Sequence, residues 1–210
     1  MRRVVAIVGT IFLACALWTA PAYAGAVPDK SHAFGNSRAG WAKEYTQWVF
    51  GDSSNPIVSG ECGALVDGAY FLTTPTDINQ EFECTVPLGV PIILSHAAYF
   101  AWVPTDGSTD DEIEATSVAL FGDPKSSLTL DGRSVPLATT QTGAFNVNSQ
   151  PGSAYDAVFD LGTGPIRTAV TGQFTVLHPL RPGKHQIVAD VDFNPTGGPI
   201  FGVTYNIMVR

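Results

Sequence analysis

Charge is scarce in this chain: Asp, Glu, Lys and Arg make up 14% of its 210 residues, and Lys and Arg together number only 11. A phosphate-binding surface needs clustered Lys and Arg, so nucleic acid is not an expected partner. Cysteine is nearly absent, at three residues, and neither Cys62 nor Cys84 has a His or a second Cys at metal-ligand spacing. No G-x-S-x-G elbow, phosphate-binding glycine loop or dinucleotide fingerprint occurs. No segment repeats at a fixed period, which argues against a solenoid or a propeller.

The one long apolar run, Val4 to Trp18, follows Arg2-Arg3 and leads to Ala22-Tyr23-Ala24, the small-x-small pattern of a signal-peptidase site. Residues 1–24 are therefore expected to be a signal peptide, with the mature chain starting at Gly25 and located in the periplasm or outside the cell. The run is short for a membrane span and is broken by Thr19 and Pro21, so no transmembrane anchor is expected after cleavage. Leu13-Ala14-Cys15 resembles the end of a lipobox, but Phe12 stands where Leu is usual; Arg2-Arg3 lacks the polar flanks of twin-arginine export. Removing 24 of the 210 residues leaves 186, with 9 basic residues against 19 acidic and a formal charge of −10. That length suits a single domain, over residues 37–210 after a loose lead-in at 25–36. In an oxidising compartment the two remaining cysteines, Cys62 and Cys84, read as one disulfide.

Glycine (21) and proline (15) are plentiful, and they punctuate short apolar runs, the pattern of an all-β protein. The expected fold is a β-sandwich of jelly-roll or immunoglobulin-like type with two short helices. Trp41, Tyr45 and Trp48 fall at i, i+4 and i+7, with Asn36 or Ser37 as N-cap and Gly51 as the stop, which predicts a helix plugging one end of the sandwich with its aromatics in the core. Thr109 followed by Asp110-Asp111-Glu112 reads as a capping box opening a second helix that Gly122 ends. Because those acids already have a structural use and the spacing does not match an EF-hand, a calcium loop at 106–112 is disfavoured. Strands are expected at 64–73, 82–86, 91–103 with a break near Ser95-His96, 144–148, 157–161, 171–178, 184–193 and 201–209. Asp131-Gly132 suits a two-residue hairpin turn between 128–130 and 133–135. In the segment 184–193, His185, Ile187, Ala189, Val191 and Phe193 share one face, which is expected to point inward.

Three patterns bear on chemistry. Tyr99-Phe100-Ala101-Trp102 alternates so that one aromatic set lies outside the core unless a helix covers it; beside Asp106 and Asp110 an uncovered set would stack on sugar rings while the acids bind hydroxyls. His178 and His185 flank a six-residue loop and could face each other as zinc or copper ligands, with His96 the one other imidazole of the folded region able to join them; no third ligand is identifiable and no cofactor is expected. Glu61, Asp67, Asp77, Glu81, Glu83, Asp156 and Asp160 offer carboxylate pairs whose separation a sequence does not reveal.

Trp41 to Trp48, Gly60-Glu61-Cys62-Gly63 before Tyr70-Phe71-Leu72, Cys84 to Gly89, Leu130-Asp131-Gly132, Leu180 to His185 and Val203 to Ile207 together resemble a set of secreted bacterial β-sandwich proteins with an aromatic N-terminal helix and one disulfide. The resemblance spans nearly all of the mature chain and implies fold rather than chemistry, since no activity is established for that set. The leading functional expectation is an exported, non-catalytic protein that binds a glycan or another cell-envelope or extracellular ligand through the face at Tyr99, Phe100, Trp102, Asp106 and Asp110. The alternatives are a secreted polysaccharide lyase or glycoside hydrolase on a jelly-roll fold, and a metal-binding protein using His178 and His185.

Overall fold

The computed structural model describes residues 25–28, 32–54, 56–75, 77–122, 124–192 and 200–210, so the expected signal peptide lies outside the described residues, as does Phe193. The described chain opens with α1 (Arg38–Thr46), continues into a π-helical turn (Gln47–Gly51) and then α2 (Pro56–Ser59). Next come β1 (Gly63–Val66), β2 (Ala69–Leu72), β3 (Gln80–Val86), β4 (Ile92–Trp102) and α3 (Asp110–Phe121). After these follow β5 (Lys125–Leu130), β6 (Arg133–Ser134), β7 (Thr139–Gln141), β8 (Phe145–Ser149) and α4 (Ala154–Ala157). Three long strands, β9 (Gly164–Leu177), β10 (Gly183–Asp192) and β11 (Ile200–Val209), complete it.

The protein is mostly β, built on two mixed sheets. One runs β1-β2-β4-β9-β7, with β8 also pairing with β9; the other runs β3-β11-β10-β5-β6. Two pairings are parallel, β2 with β4 and β3 with β11, and the rest are antiparallel. Strand alternation gives the six-stranded sheet two buried faces. Tyr70, Leu72, Ile92 and Leu94 point toward the five-stranded sheet and pack with Leu128, Leu130, Ile187 and Tyr205. Phe71, Ile93 and Phe174 point the other way and pack with Trp41, Tyr45 and Trp48.

The aromatic stripe of α1 and its turn is thus buried, as its spacing predicts, with the Ser37 hydroxyl accepting from Gly40 N at 3.0 Å as the N-cap. The helix does not plug an end. Its ring edges meet Phe71 at 6.2 Å from Trp41 and 5.6 Å from Trp48, so it covers the outer face of the six-stranded sheet and adds a third layer. Apolar residues on both faces of β2 and β4 make that cover necessary, because an open face would leave Phe71 and Ile93 in water.

α3 begins at the predicted capping box: Thr109 Oγ1 accepts from Glu112 N at 3.3 Å, and Glu112 Oε2 accepts from Thr109 N at 3.2 Å. Its buried residues are Ile113, Ser117 and Phe121; Ile113 packs with Ala101 and Ala169, and Phe121 with Ala97 and Val191. The register of β4 against β9 shifts between Ser95 and Ala97, at the interruption the sequence marks. The β5–β6 hairpin turns at Asp131 and Gly132, with φ of 51° and 73°, the paired left-handed conformation of a type I′ turn.

Several elements differ from expectation. The segment 64–73 is a hairpin divided at Asp67-Gly68 rather than one strand. The segment 157–161 is not a strand: Ser153 caps α4 by accepting from Asp156 N at 3.3 Å, and Tyr155 and Phe159 then project from one side at helical spacing. β9 starts at Gly164, well before Thr171; the buried polar Thr168 within it interrupts the apolar alternation by which a strand is recognised. Four short helices are present among the described residues where two are expected. The expected disulfide joins Cys62, just before β1, to Cys84 on β3, with Cα atoms 5.6 Å apart, and so ties one sheet to the other.

Candidate functional site

The stretch 99–110 is split by its own strand. Tyr99 points to the side covered by α3, packing with Ala97, Ala101 and Phe121. Its hydroxyl is held above the usual phenol range by burial first and by the Asp106 charge second. Phe100 and Trp102 point to the opposite side, against the π-helical turn and α4. There Phe50 stacks on Tyr155 at 5.2 Å, Phe100 meets Phe50 edge-on at 4.5 Å, and Trp102 lies 5.2 Å from Phe159. Phe159, which the sequence reading missed, is the most exposed ring of this cluster at 39%. Its signal was present in the i, i+4 spacing of Tyr155 and Phe159.

Asp106 sits at the bend between the two sides, where Oδ2 accepts from Trp102 N at 3.0 Å, while the Trp102 indole donates to Thr105 Oγ1 at 3.2 Å. Asp110 accepts from two of the three guanidinium nitrogens of Arg167, Nε at 2.7 Å and Nη2 at 2.5 Å, and those hydrogen bonds hold its carboxyl below the usual range. Of the five residues expected on one face, the structure therefore places Phe100 and Trp102 together, Tyr99 and Asp110 on the α3 side, and Asp106 between.

The two hairpin histidines are also parted. His178 is exposed, with its ring edge-on to Phe34 at 5.6 Å. His185 points inward in phase with Ile187, and both its ring nitrogens are engaged: Nδ1 lies 2.8 Å from Asp131 Oδ2 and Nε2 lies 2.9 Å from the Arg181 carbonyl oxygen. His96, the third imidazole, is buried at the β4 bulge beside Gln173, and neither of its nitrogens has a hydrogen-bond partner. Burial lowers its pKa to about 4, with the nearby Gln173 side chain working the other way. Among the described residues no three His, Cys, Asp or Glu side chains converge as a metal site requires.

A different surface is organised as a site. On the outer face of the five-stranded sheet Glu81, Glu83, Thr85, Lys184, Gln186 and Asp190 are exposed, because their inward neighbours form the core. Glu83 of β3, Asn206 of β11 and Gln186 of β10 stand in register and form one row across three strands. Gln186 Nε2 donates to Asn206 Oδ1 at 3.1 Å, and Asn206 Nδ2 donates to Glu81 at 2.6 Å and Glu83 at 2.9 Å. A groove of about 530 Å³ runs along this row, lined also by Asp131, Lys184, His185 and Met208. Its size falls within the range of small-molecule sites. Sequence reading could not find it: its residues come from three strands and a turn, and each is an ordinary exposed polar position on its own strand.

No protein-family model matches the chain, and no curated protein matches it. Three solved structures are similar to it at low identity. The cysteine protease inhibitor EhICP2 from Entamoeba histolytica is 10% identical, over 67% of this chain and 94% of that one, with a TM-score of 0.28. PbICP-C, solved in complex with falcipain-2, is 12% identical over 66% and 98%, with a TM-score of 0.29. Amebosin is 15% identical over 67% and 97%, with a TM-score of 0.25. At those TM-scores the likeness carries no functional argument.

Proposed function

We propose that this chain is an exported, non-catalytic protein, on a jelly-roll or immunoglobulin-like sandwich, that binds a glycan of the cell surface or its surroundings in the groove across β3, β11 and β10. The observation that carries this reading is the row Glu83–Asn206–Gln186 with Lys184 beside it: carboxylate, amide and ammonium groups held in order on an exposed sheet face. Sugar hydroxyls both donate and accept, so they pair with such a mixed set, and the cross-strand hydrogen bonds fix the protein groups before the ligand arrives. The non-catalytic reading rests on the sequence, in which no catalytic motif such as a G-x-S-x-G elbow occurs. The export reading rests on the pattern of residues 1–24 and agrees with the disulfide.

The test is a glycan array probed with the mature protein, followed by calorimetry on any retained glycan with Gln186→Ala, Lys184→Ala and Trp102→Ala. The groove variants are expected to weaken binding about tenfold each, one hydrogen bond to the ligand being worth roughly 1.4 kcal/mol, and Trp102→Ala to leave it unchanged. An array with no retained glycan removes the glycan. Loss of binding in Trp102→Ala alone moves the site to the aromatic cluster at Trp102 and Phe159.

A further inference from the structure

β3 lies at one end of the five-stranded sheet, and among the described residues its one strand partner is β11. That pairing is parallel and regular over all 7 residues of the strand. At its end the Val86 carbonyl accepts from Arg210 N at 3.2 Å, so Val86 turns its backbone toward β11, as do Cys84 and Phe82 at alternate positions. Glu81, Glu83 and Thr85 therefore turn their N–H and C=O groups away from the sheet, where no backbone group of the described residues meets them. Sheet edges are commonly blunted by proline, lysine, a bulge or shortness, and β3 has none of these. Its charges are Glu81 and Glu83, both exposed, and neither forms an ion pair among the described residues.

We propose that the free edge of β3 takes up an extended segment of a partner protein, antiparallel to it, with Lys or Arg opposite Glu81 and Glu83 and an apolar residue opposite Phe82. Residues directly opposite each other in an antiparallel pair project from the same face about 5 Å apart, so a cation opposite each glutamate meets it directly. The Asn206 amide, donating to both carboxylates at 2.6 and 2.9 Å, holds them in position beforehand. On the inner face Phe82 is half-buried and stacks on Tyr205 at 5.6 Å, and no further strand covers it at this end of the sheet. An apolar side chain opposite Phe82 extends that packing, and next to it the disulfide from Cys84 to Cys62 leaves space for a small residue. The glutamates also select against other strands. A second copy of β3 brings glutamate against glutamate, and an acidic segment does the same. The chain carries 19 acidic residues against 11 basic, so its overall field also draws a basic partner.

The probe is the acetylated and amidated peptide Thr-Ala-Lys-Val-Lys, ordered to run antiparallel to Glu81–Thr85, added to ¹⁵N-labelled protein at low salt. The amides of Glu81, Glu83 and Thr85 are expected to shift saturably and to exchange their hydrogens more slowly, while those of Lys184 and Gln186 stay in place. Methylating the two lysine backbone nitrogens keeps the charge but removes strand hydrogen bonds, and is expected to abolish binding. Glu81→Gln with Glu83→Gln is expected to weaken binding about fivefold, from the loss of two cross-strand ion pairs. Absence of saturable binding overturns the proposal. So does equal binding of the methylated peptide, which means that no strand is added, or of Thr-Ala-Glu-Val-Glu, which means that charge does not select. Shifts confined to Lys184 and Gln186 overturn it by placing the peptide in the groove, and concentration-dependent shifts at 81–85 without peptide do so by giving the edge to a second copy. The peptide comparisons use the wild-type chain and stand should the double variant fail to fold. No glycan enters the experiment, so its outcome is separate from that of the groove reading.

Discussion

His96 shows how one buried side chain sets an acid limit for the whole fold. It is 7% exposed, and both nitrogens lack partners. Burial lowers its pKa from 6.5 to about 4, so the unfolded chain takes up a proton more readily than the folded one as pH falls. The stability it contributes is fully present above pH 6.5 and is lost between there and about pH 4. That loss is on the order of 3 kcal/mol, and in urea titrations at pH 7 and pH 4 His96→Leu is expected to lose that much less than wild type. Equal losses in the two proteins would show that His96 does not titrate in this window. At this scale the sequence was legible wherever a side chain's role depends on its own neighbours, as with Ser37 and Thr109 at their helix starts. The partners of His185 and Tyr99 were not legible, because Asp131 and α3 reach them only through the tertiary fold.

The elements that could be read in advance carry their own start and stop chemistry. α3 has a complete capping box, and Thr109→Ala is expected to cost about 1 kcal/mol, read as a drop in the thermal midpoint by circular dichroism. No change in the midpoint would mean that Glu112, which also accepts from Ser108 N at 2.7 Å, holds the first turn by itself. The hairpin at Asp131-Gly132 and the interruption of β4 were legible for the same local reason. By contrast β7 is a Thr-Thr-Gln segment whose strand state comes entirely from pairing with β9, and α4 replaced a predicted strand because Ser153 and Asp156 cap a turn that the apolar pattern of 157–161 conceals. The groove is likewise a property of the sheet: its row exists only once β3, β11 and β10 are in register.

Across the whole molecule, the cross-link between Cys62 and Cys84 spans 22 residues and joins the two sheets. Its removal by Cys62→Ser with Cys84→Ser is expected to lower unfolding stability by about 3 kcal/mol in urea, with native circular dichroism retained in its absence. An unchanged denaturation midpoint would place the stability of that edge in Tyr70, Leu72 and Val86 alone. An all-β class was legible from glycine and proline punctuation, but the helical layer over the six-stranded sheet was not, since an aromatic stripe reports that it is buried and not against what.

The parallel pairing of β3 with β11 also makes the five-stranded sheet depend on a long-range closure. Glu81 and Asn206 are neighbours in space and 125 residues apart in the chain, and β11 lies between β3 and β10. Until residues 200–209 are in place, β3 has no neighbour in its sheet and the apolar sides of Cys84, Val86 and Ile187 are uncovered on that flank. Non-local closures of this kind are slow, so the half-assembled molecule is the form in which it is most exposed to aggregation or to a protease. The row Glu83–Asn206–Gln186 therefore forms no earlier than the docking of that strand.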